Sequence, residues 1–96
     1  MPYRVRLTQA ADDRIGKYSY DVQNLILDEL ERLATNPTSL SDPSHFPYPP
    51  DYQLFKFKVE FAGADYRLVA CFKYAANENE IWIFELEDQI EDDRPA

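Results

Sequence analysis

The sequence predicts an α+β domain with the order β-α-α-β-β-β, a small antiparallel sheet with two N-terminal helices packed on one face. Three observations carry this reading. Apolar residues alternate with polar ones near the start of the chain and again in most of its second half. Between residues 22 and 33 they fall instead at helical spacing. Proline, glycine and asparagine mark the boundaries of these segments.

Taken in order, Tyr3, Val5 and Leu7 point one way while Arg4, Arg6 and Thr8 point the other, the pattern of a half-buried strand. A short polar helix is expected over 10–17. Ser19 is placed to cap a second helix, and Asp21 puts negative charge in its first turn. Val22, Leu25, Ile26, Leu30 and Leu33 form its apolar stripe, and Asn36-Pro37 ends it. Residues 36–51 hold five of the seven prolines and read as a stiff loop pinned by Phe46 and Tyr48. Three strand-like runs follow, at 52–61, 66–74 and 80–87, separated by turns at 62–65 and 75–79.

A four-residue turn at 62–65 would set Phe61 against Tyr66, Val59 against Leu68, Phe57 against Ala70 and Phe55 against Phe72, all on the core side. The opposite side would then pair Glu60 with Arg67, Lys58 with Val69 and Lys56 with Cys71. In the last run Trp82, Phe84 and Leu86 alternate as expected core residues, and Arg67 would lie between Glu60 and Glu87. Spacing alone gives Lys56, Lys58 and Arg67 two readings. They can hold a phosphate backbone on one sheet face. They can equally be a solvated strand face, with Arg67 salt-bridged across strands.

Composition narrows the function classes. Ninety-six residues with 45% hydrophobic content are expected to form one domain over 1–96. Net charge is −8, unevenly spread: residues 1–77 carry nine Lys/Arg against ten Asp/Glu, whereas 78–96 carry Arg94 against eight acids, so 88–96 reads as an acidic tail. A single cysteine, Cys71, excludes an internal disulfide and fits a reducing compartment. No apolar run has the length of a membrane span, and the opening MPYRVRLTQ lacks the apolar core of a signal peptide, so a cytoplasmic location is expected. One His and one Cys do not supply a common zinc site, no Gly-rich phosphate loop is present, and no metal or small-molecule cofactor is expected. Cys71, in mid-strand, reads as a packing residue and His45 as a surface loop residue. Glu85 and Glu87 share a strand face and default to solvent.

Three stretches, YRVRLTQAADDRI, VQNLILDELERLATNP and KFKVEFAGADYRLVACF, together resemble the RelE/ParE superfamily of bacterial toxins from type II toxin–antitoxin pairs. The resemblance covers most of the chain and implies the β-α-α-β-β-β fold. In the RelE-like branch it implies a metal-independent endoribonuclease that enters the ribosomal A site and cleaves mRNA with basic residues of the sheet face. By position Lys56 and Lys58 match that branch's paired lysines and Arg67, in DYRLV, its third-strand arginine. The roles implied are proton transfer or charge stabilisation for Lys56 or Lys58, and a phosphate clamp for Arg67. The branch's further Arg and Tyr near the C-terminus have no counterpart, since Glu85, Leu86, Glu87, Asp88 and Gln89 stand there, so the implied site is incomplete. Implied partners are a cognate antitoxin, the ribosome and mRNA, with no membrane. The alternative is a ParE-like, gyrase-directed toxin or a degenerate toxin fold kept as a protein-binding module.

Overall fold

A computed structural model describes residues 3–46, 48–75 and 79–89. Strand β1 (Arg4–Leu7) leads to Thr8, whose side chain accepts from the Ala11 N–H and caps helix α1 (Gln9–Ile15). Ser19 caps helix α2 (Tyr20–Thr35) in the same way through the Val22 N–H, as the sequence predicts. Val22, Ile26, Leu30 and Leu33 are buried on the face that α2 turns to the sheet. Pro37 opens a one-turn helix α3 (Pro37–Leu40), and Asp42–Pro43 form a two-residue strand β2. Both lie in the segment expected to be loop. Strands β3 (Gln53–Phe61), β4 (Ala64–Tyr74) and β5 (Glu80–Asp88) complete the fold. Residues 76–78, in the predicted 75–79 turn, and the acidic end 90–96 lie outside the described residues. Asp88, assigned by sequence to the tail, instead closes β5 and pairs with Arg14 at 2.9 Å.

The sheet runs β1-β5-β4-β3-β2, with the helices against its inner face. The α+β class therefore holds, but the sheet is mixed. The meander β3-β4-β5 is antiparallel as expected, whereas β1 runs parallel to β5. No tight turn joins the first strand to the last, so local geometry does not force them antiparallel.

Register differs from the expectation at two places. Strands β3 and β4 are joined by only Ala62 and Gly63, with φ of 53° and 81°, the positive values of a type I′ hairpin turn. The pairing thus slides by two residues: Phe61 meets Ala64, Val59 meets Tyr66, Phe57 meets Leu68 and Phe55 meets Ala70. A two-residue slide keeps every side chain on its face, which is why the core list survives. Between β4 and β5 a bulge sets Cys71 against Glu85 but Phe72 against Ile83, leaving Phe84 unopposed. The strand changes parity there. Ile81, Ile83 and Leu86 are buried inward, and the expected core residues Trp82 and Phe84 are only half-buried on the outer side.

The outer face is not simply solvated. Tyr48, Leu54, Val69 and Cys71 form a second buried cluster, with Tyr52 packed against it. The proline-rich segment thereby straps the sheet. It is held by the pairing of Asp42 and Pro43 with Leu54 and Gln53, by the Ser44 N–H donating to the Tyr52 carbonyl at 2.9 Å, and by a bond from the Ser44 hydroxyl to the Pro49 carbonyl. Tyr48 pins the strap as expected, whereas Phe46 is 92% exposed and does not. Among the described residues no helix is long and apolar enough to cross a membrane.

Candidate functional site on the outer sheet face

Register places the outward side chains in transverse rows. The first row sets Lys58 directly opposite Arg67. The second runs Lys56, Val69, Glu87, and the third Leu54, Cys71, Glu85. A fourth, at the far end, sets Lys73 against Trp82 and Trp82 against Arg6, with Tyr52 beside Lys73. Beyond it Arg4 meets Glu80.

The three sequence-predicted cations lie together in the first two rows. Two expected partners of Arg67 are elsewhere: Glu60 faces Asp65 and reaches Lys58 Nζ at 2.8 Å, and Glu87 faces Val69. The salt-bridge reading of Arg67 fails, and among the described residues no carboxylate pairs with it. Like charges directly opposite across a hairpin are destabilising. Glu60 offsets part of this, and its hydrogen bond and charge raise the Lys58 pKa. Its own carboxyl is held below the usual range by Lys58 in return. Lys58 therefore stays an ammonium. Lys56 Nζ lies 5.4 Å from the centre of the Tyr48 ring, a cation–π contact with the strap.

Acid and thiol groups occupy the middle of the face. Burial, and then the neighbouring Glu85 carboxylate, push the Glu87 pKa up. Burial and the same two carboxylates push the Cys71 thiol up to about 12, so it is neither a thiolate nucleophile nor a ready metal ligand at neutral pH. One donor atom each from Cys71, Glu85 and Glu87 lie within 4.8 Å of one another.

The end of β5 is tied down by Gln89, whose amide donates to the carbonyls of Phe57 at 3.1 Å and Leu68 at 3.0 Å while its backbone N–H donates to Arg67. This clamp fixes β5 against the hairpin that carries the cations. Sequence reasoning missed it, as it missed the fourth row, because both depend on register rather than on residue type.

No family model matches the sequence, and no curated protein matches it. Solved structures do. The chain superposes on the toxin–antitoxin complex RelBE2 of Mycobacterium tuberculosis with a TM-score of 0.64 at 16% identity, covering 93% of this chain and 100% of that one. The chain has the RelE toxin fold. A free-state mutant of E. coli toxin RelE matches with a TM-score of 0.60 at 16% identity, over 92% of this chain and 84% of that one. The intact E. coli RelBE toxin–antitoxin complex matches with a TM-score of 0.58 at 15% identity, over 93% and 99%. The fold expected from sequence is thus the fold observed, at an identity where the likeness is one of backbone path.

Proposed function

We propose that this protein is a RelE-like toxin of a type II toxin–antitoxin pair, directed at translation and cleaving mRNA on its outer sheet face. A cognate antitoxin is its partner, the ribosome with bound mRNA its target, and the cytoplasm its place of action. The observation that carries the reading is the opposed pair Lys58 and Arg67, two cations side by side on one sheet face that together can hold a phosphate. Solved complexes of the same fold, which contain a toxin and its antitoxin, support the partner.

The geometry supports a division of labour. Arg67 and Lys58, kept an ammonium by Glu60, hold the scissile phosphate and the charge that develops on it. Lys56 and Glu87 flank Val69 in the next row. Glu87, more basic than an ordinary carboxylate, takes the proton of the 2′-hydroxyl as its oxygen bonds to phosphorus. Lys56 gives a proton to the departing 5′-oxygen as its bond to phosphorus breaks, leaving a 2′,3′-cyclic phosphate. The sequence has Glu85, Leu86, Glu87, Asp88 and Gln89 where the RelE branch carries its further Arg and Tyr, so turnover is expected to be slow.

Induced expression in a bacterial host tests this. Wild type arrests growth with mRNA cleavage, the Lys56→Ala/Lys58→Ala/Arg67→Ala variant does neither at matched soluble level, and Glu87→Gln cleaves about 100-fold less. Arrest that persists in the triple variant, without mRNA cleavage, overturns the ribonuclease reading in favour of a gyrase-directed toxin. Growth with every variant favours the degenerate binding module, which the acids of the middle rows already suit.

A further inference from the structure

The fourth row of the outer face alternates ring and cation, from Tyr52 just before β3 through Lys73 of β4 and Trp82 of β5 to Arg6 of β1. Lys73 Nζ lies 4.8 Å from the centre of the Tyr52 ring and 5.7 Å from that of Phe84, and the Arg6 guanidinium lies 5.3 Å from the Trp82 ring. Lys73, Tyr74, Trp82 and Phe84 line an open pocket of about 370 Å³. We propose that this pocket stacks an unpaired nucleobase of single-stranded RNA, with Lys73, Arg6 and Arg4 taking the adjoining phosphates.

Every base offers a flat face to such rings, and Lys73 and Arg6, which lie over the ring faces, swing out to the phosphates as a base stacks. The cations are accessible: the side chains of Arg4 and Arg6 are 74% and 48% exposed, and Lys73 is exposed too. Among the described residues Arg4 and Arg6 share one ion-pair partner, Glu80, whose side chain is only 5% exposed and turns no acid toward a ligand. Flat rings alternating with cations suit bases alternating with phosphates better than the branched aliphatic anchors of an acidic peptide. The pocket is separate from the Lys58–Arg67 row. Lys73 stands six residues along β4 from Arg67, about 20 Å away, with the Tyr48 strap over the rows between.

The inference extends the proposed RNA-directed function but reads out apart from cleavage, because Trp82 is the only tryptophan. Its fluorescence is followed while a short oligouridylate is added to the full chain, with inorganic phosphate and an acidic Glu/Leu peptide as competing probes. Quenching by the oligonucleotide that weakens with salt is expected. Lys73→Gln, a surface change, should loosen binding several-fold and Phe84→Leu about tenfold, while Lys17→Gln, at an exposed lysine just beyond α1, quenches as wild type does. Absence of quenching, quenching unchanged in Lys73→Gln, quenching by the peptide alone, or an equal loss in Lys17→Gln each overturns the pocket. Quenching retained in a protein that cleaves no mRNA leaves the pocket standing and removes the ribonuclease reading.

Discussion

On the inner side of the sheet Phe55, Phe57, Val59, Leu68, Ala70, Phe72, Ile81, Ile83 and Leu86 make one continuous apolar layer beneath α2. On the outer side the same strands present opposed cations, then a lysine and a glutamate, then a buried thiol beside an acid, then rings and cations. The inner face keeps its apolar character under an even slide of register, because residues of one parity stay on that side. The outer face does not. A slide of two residues decides whether Arg67 meets an acid or a lysine, and so whether the face is a salt bridge or a phosphate site. Chemistry in this fold rests on pairing accuracy that hydrophobic burial alone does not enforce.

The largest effect that breaks the contrast is on the inner side. Phe72 is fully buried, and Phe72→Ala is expected to cost about 3–5 kcal/mol in denaturant unfolding, a large share of the stability of a small domain. A loss below about 1 kcal/mol would mean that the inner layer is loosely packed.

Cys71 blurs the contrast, since it belongs to the outer face yet is buried under the strap. Its thiol keeps its proton in the folded protein up to about pH 12, whereas the unfolded chain loses it near the ordinary value of 9.0. The unfolded state therefore binds fewer protons between those limits, and stability falls as pH rises through them, by up to about 1.4 kcal/mol per pH unit from this group. Cys71→Ala should remove that part of the slope in urea titrations above pH 9. An identical slope in both proteins would show that the strap does not exclude solvent from the thiol.

The smallest effect sharpens the register itself. Ala62 holds a positive φ that costs an alanine but suits an asparagine, the residue favoured before glycine in a type I′ turn. Ala62→Asn is expected to raise stability by about 0.5–1 kcal/mol in thermal unfolding. A destabilised variant would argue for the longer turn and the other pairing.

Much of this was legible from the chain. Helix α2 was fixed by its stripe and by Ser19 and Asn36-Pro37, since caps and periodicity are local. The face assignment of β3 and β4 followed from alternation, a property of each strand alone. It put Lys56, Lys58 and Arg67 on one side. The turn misled because Ala62-Gly63 lacks the Asn-Gly signal, and IWIF misled because it is apolar in both phases, so only the bulge at Phe84 chooses Ile81 and Ile83 as core. The parallel partnership of β1 and β5, the opposition of Lys58 and Arg67, the strap of Tyr48 over Cys71 and the ring–cation row were settled by tertiary structure. A period of two fixes which way a side chain points. Which neighbour it meets depends on how strands slide past one another, and that is set by contacts between segments far apart in the sequence.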